Sequence, residues 1–366
     1  MQVSTIGLDL AKNVFQAHGV SAEGKVVLKK QLRRGQVLST FAKLPPCLVG
    51  MEACAGAHYW ARELRKLGHD VRLMPARDVK AYVKRDKTDA ADAAAICEAV
   101  SRPSMRFVAL KTPEQQGRLM QHRVRDLLLR QRTQTINALR AHMAELGLVA
   151  ATGRQGLGLL LAILADAKDE RLPQDARASL KLLASQIAAL QAQIDTLDKR
   201  LHAQHRQCPA SRRLETIPGI GVIGATALAA TITDPKAFKS GRDLAAFIGL
   251  VPRNNSSGGK QRLGPISKQG DRYLRRILVV GAHSILKQAR TRPDKHPWLA
   301  RLMARKPGKL AAVALANKTA RIAWAVLARG ERVAGREAGL RRGDEVSERI
   351  GHLVVAGCVR DAIADP

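Results

Sequence analysis

Aromatic residues are scarce in this chain of 366 residues: three Trp, three Tyr and five Phe make up 3% of it. A core without large rings must be built from Leu, Ala, Val and Ile, and a hydrophobic content of 46% supplies them. Ala- and Leu-rich sequence favours helix, so much of the chain is expected to be helical. The same scarcity makes base stacking on aromatic faces secondary to backbone contacts, should the partner be nucleic acid. The five cysteines, Cys47, Cys54, Cys97, Cys208 and Cys358, are scattered, odd in number and never spaced C-x-x-C. That argues against a disulfide framework and against a zinc site. No basic-then-apolar leader opens the chain, and the longest apolar run, residues 156–165, is too short to span a bilayer. A soluble, cytoplasmic protein without a membrane partner is expected. Internal repeats are absent as well.

Acidic residues are the other shortage. Lys and Arg total 62 against 31 Asp and Glu, a formal charge of +31. Such an excess costs self-repulsion unless a polyanion shares it. Nucleic acid is the natural partner, because each neutralised phosphate releases condensed counterions. Basic, GC-biased coding habits are the competing explanation.

The N-terminal part alternates strand and helix. Residues 3–10, 14–20 and 25–32 read as strands, and the nearly continuous apolar run 47–53 reads as a strand buried on both faces. An amphipathic helix over 57–67, a strand over 70–74 and a helix over 88–100 complete a mixed α/β sheet with helices on its faces. A long helix is expected over 112–148, then a shorter one within 158–167. The next helix carries Leu180, Leu183, Ile187, Leu190, Ile194, Leu197 and Leu201, an unbroken a/d heptad seam. It fits two arrangements equally: a parallel coiled coil between subunits, or an antiparallel hairpin with the 112–148 helix of the same chain. A hinge is expected over 208–211, followed by a mostly helical C-terminal unit with helices near 244–249, 271–290, 298–303 and 309–328. Beyond residue 330 the chain is charged and weakly patterned.

Four acids stand out. Asp9 ends a largely apolar strand, where a lone carboxylate is expensive to bury unless it faces a metal or a cation. Glu52 lies at the C-terminal end of the buried strand, where open sheets with flanking helices place their sites. Asp89 and Asp92 are three apart on a helix, hence on one face, although the first turn of a helix also favours acids for its dipole. Asp86, one turn earlier, reads more naturally as a cap. Four such carboxylates can hold two divalent ions about 3.5–4 Å apart, which activate a nucleophile and stabilise the leaving oxygen of a phosphodiester. Oxygen ligands favour Mg²⁺ or Mn²⁺.

Further along, Pro218-Gly219-Ile220-Gly221 fits a helix-hairpin-helix turn, whose backbone N–H groups can meet a phosphate without reading sequence; a plain tight turn between packed helices fits as well. The polar loop Asn254-Asn255-Ser256-Ser257-Gly258-Gly259-Lys260 is flanked by Arg253, Arg262, Lys268, Arg272, Arg275 and Arg276. A Ser in such a loop is a possible nucleophile on phosphate, since the cations can stabilise developing charge. A flexible linker is the alternative.

These motifs together resemble the DEDD-type transposases of the insertion-sequence 110 group, bridge-RNA-guided recombinases, over roughly residues 3–330. The resemblance rests on Gly7-Leu8-Asp9-Leu10-Ala11-Lys12, Met51-Glu52-Ala53 and the Lys87-to-Asp92 motif. In the C-terminal half it rests on Ile217 to Gly221, Ala246 to Arg253, Ser257-Gly258, Ser267-Lys268-Gln269-Gly270 and Leu274-Arg275-Arg276. It implies a RuvC-like, ribonuclease-H-type catalytic domain over 1–105 and a helical coiled-coil dimerisation region over 106–207. A C-terminal transposase domain over 208–330 and a tail over 331–366 follow. Asp9, Glu52, Asp89 and Asp92 map onto the metal-binding acids. Ser257 maps onto a serine that attacks DNA to form a phosphoserine linkage, with Ser256 beside it as the rival and Ser240 and Ser267 as weaker ones. Gly219, Gly221, Arg253, Lys260, Lys268, Arg275 and Arg276 are the expected nucleic-acid contacts. The implied partners are DNA, a structured guide RNA, and further copies of the chain, a dimer through 180–201 and then a tetramer acting at the nucleoid. A RuvC-type endonuclease that only hydrolyses DNA is the alternative.

Overall fold

The computed structural model of the chain describes residues 2–84, 88–260 and 262–333. It divides into two compact units, Met1–Glu114 and Gln115–Pro366. Asp86, Lys87 and the tail from residue 334 lie outside the described residues.

The first unit is organised by a five-stranded sheet of β1 (Thr5–Asp9), β2 (Val14–Val20), β3 (Val26–Arg33), β4 (Leu48–Glu52) and β5 (Asp70–Met74), in the spatial order β3-β2-β1-β4-β5. The first three strands form an antiparallel meander, whereas β4 and β5 run parallel to β1. The expected mixed sheet is therefore present. Alternation along the strands sorts the residues between two layers. Ile6, Leu8, Phe15, Ala17, Val49 and Met51 face α1 (Val37–Phe41) and α2 (Ala57–Lys66), which contribute Val37, Phe41, Trp60 and Leu64 to a common core. After the short helix α3 (Ala76–Val79), α4 (Asp89–Val100) covers the opposite face, and its Ile96, Ala99 and Val100 pack with Met74 and Val79.

At the end of the sheet away from the acids, His69 Nδ1 accepts from the Cys47 amide at 3.3 Å and lies 3.4 Å from its thiol. That tautomer leaves Nε2–H to donate to the Phe41 carbonyl at 3.2 Å. Burial pushes the Cys47 thiol up to about 11. This cysteine therefore packs rather than reacts.

The second unit is helical apart from one hairpin. Its long helices α5 (Pro113–Ala144) and α7 (Gln174–Gln207) flank α6 (Arg154–Ala165) in the chain. Arg125 is paired with Asp198, Arg132 with Gln191 and Gln121 with Gln204. One index rises as the other falls, so α5 and α7 are antiparallel. Leu139 and Met143 of α5, Leu160 and Leu164 of α6, and Leu180 and Ile187 of α7 share one core. Along the heptad seam Leu180, Ile187, Leu190, Ile194 and Leu201 are buried within the single chain. Of the two arrangements open to the seam, the intramolecular hairpin is the one this structure displays; a stripe covered by α5 needs no partner subunit to explain its periodicity.

The hinge expected over 208–211 is instead a tied corner. Pro209 cannot continue the hydrogen-bond ladder of α7, so α8 (Pro209–Glu215) starts afresh with Pro in its first turn. Ser211, fully buried, is hydrogen-bonded to His205 Nδ1 at 2.8 Å, and His205 Nε2 lies 2.9 Å from Glu215. There follow α9 (Val222–Thr231), α10 (Gly241–Ile248), the hairpin β6 (Pro252–Asn254) and β7 (Leu263–Ile266), then α11 (Arg272–Thr291), α12 (Pro297–Arg305) and α13 (Gly308–Arg329). Among the described residues α13 alone is long and apolar enough on average to cross a bilayer, although Asn317, Lys318, Thr319 and Arg321 interrupt it. Its Ala311, Ala312, Ala316, Ala320 and Ala323 are, however, fully buried in the core with Leu244, Leu274 and Leu278. Alanines let the neighbouring helices approach closely; the apolarity of α13 belongs to that packing.

Candidate active site

Asp9 and Glu52 each end a strand, and those strands are parallel neighbours. Gly7 pairs with Gly50, so the carboxylates two residues further along stand at one level and on one face, with strand axes about 4.8 Å apart. Both glycines lie under α4. A Cβ on Gly7 would meet the Ala93 carbonyl oxygen at 2.1 Å and the Cys97 nitrogen at 2.3 Å, and one on Gly50 would meet Val100 Cβ at 2.7 Å. The helix backbone thus rests directly on the sheet. Thr88 fixes where α4 begins, its hydroxyl accepting from Ala91 N–H at 3.2 Å; Asp86, expected as a cap, lies outside the described residues. Asp89 then lies one turn ahead of Ala93 and Asp92 one turn ahead of Ile96, so both acids prolong the sheet-facing side of α4. The four acids stand out in the sequence, but Gly50 is visible only through the repeated pattern of Gly7-x-Asp9 and Gly50-x-Glu52.

The electrostatics register the proximity. Burial pushes the Asp9 carboxyl up, Asp89 and then Asp92 push it further, and the Leu10 amide partly offsets this. Glu52 is raised by burial, then by Asp9 and Asp92. Like charges gathered in this way favour a cation between them. Among the described residues none of the four has a Lys or Arg ion-pair partner. As the side chains stand, no three of them converge on a single ion position.

Ser257 belongs to the second unit, at the tip of the β6–β7 hairpin. Gly258 (φ 56°) and Gly259 (φ 75°) form the turn, closed by Lys260 N–H donating to the Ser257 carbonyl at 3.0 Å. Two successive positive φ angles are the reason for two glycines. The adjacent serine is consumed by the fold: Ser256 Oγ–H donates to Asn254 Oδ1, while Ser256 Oγ accepts from Arg262 N–H at 3.0 Å. Among the described residues the Ser257 hydroxyl forms no hydrogen bond; it is exposed, as are Lys260 across the turn and Arg253 on β6.

The root of this hairpin is clamped. Arg275 donates from one guanidinium nitrogen to the Ile248 carbonyl at 2.7 Å and the Gln269 carbonyl at 3.0 Å. Asn317 of α13 donates to the Leu250 carbonyl at 3.0 Å. Gly249 (φ 78°) is pressed onto Gln269, where a Cβ would approach its carbonyl to 2.0 Å, and Lys268 takes a left-handed φ of 54° to complete the crossing. Arg276 is ion-paired with Asp126 and stands 5.5 Å over the Tyr273 ring. Of the expected nucleic-acid contacts, Arg253, Lys260 and Lys268 are thus exposed, whereas Arg275 serves backbone carbonyls. The turn Gly219–Gly221 joins α8 to α9 and borders a groove of about 960 Å³ with Asn137, Arg276 and Ser284. Gly219 is held against α11, since a Cβ on Gly281 would lie 1.9 Å from its carbonyl oxygen; Gly221 is exposed at the N-cap of α9.

Residues 6–147 match the family model described as DEDD transposase of the IS110 type, and residues 211–296 match that of the transposase IS116/IS110/IS902 family. The chain is 49% identical to a putative transposase of Sinorhizobium fredii, y4pF/y4sB, over 90% of its own length and 85% of that protein. It is also 49% identical to a probable family 20 transposase of Pseudomonas aeruginosa, over 90% and 98% of the two chains. With the transposase for insertion sequence element IS1328 of Yersinia enterocolitica the identity is 40%, again over 90% and 98%. With carboxylates at the ends of the central strands β1 and β4 and relatives matched nearly end to end, the chain belongs to the IS116/IS110/IS902 family of transposases, enzymes that act on DNA.

Proposed function

We propose that this transposase cuts and rejoins DNA strands with Ser257 as nucleophile and Asp9, Glu52, Asp89 and Asp92 as the site of divalent cations, Mg²⁺ or Mn²⁺. The observation that carries the reading is the approach of four carboxylates at the ends of β1 and β4 and the start of α4, none of them ion-paired to a Lys or Arg among the described residues. Their donor set, oxygen alone, with the Asp9 and Glu52 carboxyls pushed up by burial and by the neighbouring acids, fits a hard divalent cation. When bound, such ions stabilise the charge on the attacking and leaving oxygens of a phosphodiester. The strand order β3-β2-β1-β4-β5, with acids at the ends of β1 and β4, supports a RuvC-like, ribonuclease-H-type reading of the first unit.

The difference between the two serines supports Ser257. Ser256 spends its proton on Asn254, while the exposed Ser257 has Lys260 across the turn, and Arg253 on the same hairpin, as cations that would stabilise charge on a phosphate oxygen. Attack by Ser257 Oγ would form the Ser–O–P bond and break the P–O3′ or P–O5′ bond, and the released hydroxyl would later reverse the exchange. The carboxylates and the serine lie in different units, and we place them together on the DNA, the serine from one subunit and the acids from another. The charge of +31 supports polynucleotide binding, with a structured guide RNA choosing the sequence by base pairing. The enzyme would then work in the cytoplasm, at the nucleoid.

The decisive experiment traps protein on DNA. Ser257→Ala should lose the covalent adduct and strand exchange, whereas Ser256→Ala should keep both. Undiminished cutting by Ser257→Ala would instead establish a purely hydrolytic nuclease. Mixing Asp9→Asn with Ser257→Ala should restore activity if the two halves act across subunits. Sequencing RNA copurified with the protein tests the guide: one discrete species supports it, and random cellular RNA refutes it.

A further inference from the structure

The face of the sheet that carries Asp9 and Glu52 continues across β2, which α4 also contacts, and beyond α4 onto β3. The register puts Gln16 opposite Asp9 and Gln31 opposite Gln16, so Asp9, Gln16 and Gln31 form one row across three strands. The rows on either side bring His18 with Lys29, and Val14 with Arg33. On the edge strand the outward sequence is therefore Lys29, Gln31, Arg33: an amide level with the carboxylates, flanked by two cations about 7 Å from it on either side. From Asp9 to this line is roughly 10 Å, two strand spacings. All three side chains are exposed. Neither cation forms an ion pair among the described residues. Lys29 is close enough to His18 to lower its pKa, after the larger effect of burial.

We propose that this wing, Gln16, Lys29, Gln31 and Arg33, is a binding site for the phosphodiester backbone of the DNA strand entering the carboxylates. The inference rests on the reading of those acids as the phosphodiester site. Four carboxylates repel an approaching polyanion, and cations two strands away offset that repulsion without entering the ion site itself. Gln16 and Gln31 offer amide donors to phosphate oxygens between the two charges. Lys29 and Arg33 also guard the open edge of the sheet against pairing with another chain, but edge protection needs no common face with Asp9.

The opposite face of the same strand supplies the control. Lys30 pairs with Ala17, on the side facing α1 and α2, and it too is exposed. Lys29→Gln/Arg33→Gln and Lys30→Glu change the net charge equally, by two. Affinity for a short duplex DNA, and for an RNA of equal length, would be followed against salt in metal-free buffer with the full-length protein. The double variant is expected to lower the slope for DNA by about 1.8, two phosphates' worth, while Lys30→Glu leaves it near the wild-type value. Equal slopes in the two variants overturn the proposal, as does a change confined to RNA. Asp9→Asn, assayed for cutting in parallel with metal, reads the carboxylates separately. Intact cutting there would refute the phosphodiester site, and the wing with it, whereas equal slopes with cutting lost would refute the wing alone.

Discussion

Gly7→Ala perturbs the candidate active site without touching a carboxylate. The added methyl would sit 2.1 Å from the Ala93 carbonyl oxygen, 2.3 Å from the Cys97 nitrogen and 2.9 Å from its Cα. All three are backbone atoms of α4, so no rotamer change can relieve the clash. Reaching an ordinary C···O separation of about 3.3 Å requires α4 to retreat by roughly 1 Å. Overpacking of this kind costs about 1–3 kcal/mol. The retreat also carries Asp89 and Asp92 away from Asp9 and Glu52, and a displacement of about 1 Å can cost on the order of a hundredfold in rate. DNA cutting by Gly7→Ala should therefore fall about a hundredfold while DNA affinity holds. Gly50→Ala should do less, because its methyl meets the Val100 side chain at 2.7 Å and not main chain. Gly35→Ala, with nothing within 4 Å of the new methyl, should match the wild type. Thermal melts separate loss of fold from loss of geometry, and the test is sharpest where the variant is still folded at the assay temperature. Wild-type cutting and melting by Gly7→Ala would refute the helix placement on which the site depends.

Arg275→Lys loses the paired carbonyl contacts at the root of the Ser257 hairpin, so adduct formation should drop while the salt slope of DNA binding stays unchanged; a slope lower by about 0.9 would show a phosphate contact instead. His122, 2% exposed and hydrogen-bonded to the Tyr273 hydroxyl at 3.1 Å, has its pKa lowered to about 4 by burial and then by Arg125. Because the unfolded chain takes up the proton first, the stability this group supports is complete above about pH 6.5 and is lost as pH falls toward 4, by up to ~3 kcal/mol. Denaturant titrations at pH 7 and 4.5 should show that loss in the wild type and a smaller one in His122→Asn, and identical losses would refute it. Ile194→Ala should cost about 2–5 kcal/mol and lower the melting temperature by the same amount at low and high protein concentration, as expected of a seam closed inside one chain; a drop that changes with concentration would give the seam to a subunit interface.

What the sequence made legible follows from the range of the physics involved. Period-two alternation and a doubly buried apolar run announce β1 and β4, and two acids at their ends are visible without coordinates, because burying a carboxylate is costly wherever it happens. Residues 88–100 read as a helix for similarly local reasons. The heptad of α7 was equally plain, yet its partner was not: an a/d stripe looks the same whether a second subunit or α5 covers it, and the choice depends on ion pairs such as Arg125 with Asp198, about seventy residues apart. The corner at Cys208 and Pro209 shows the same limit, since a helix-breaking proline marks an interruption but not the buried Ser211 and His205 that make it rigid. Cations were the least legible of all. A run of Arg and Lys around Ser257 suggests phosphate contacts indiscriminately, but whether a guanidinium faces solvent is decided by carbonyls left over from helix ends. Arg275 is drawn to that of Ile248 at the end of α10 and to the loop carbonyl of Gln269, and Arg276 to Asp126 on another helix. Lys29 and Arg33, in contrast, stay exposed because a sheet edge has no neighbour to claim them, and only the strand register shows that they share a face with Asp9. Charge composition thus identifies the partner, while secondary-structure pairing decides which charges are left to meet it.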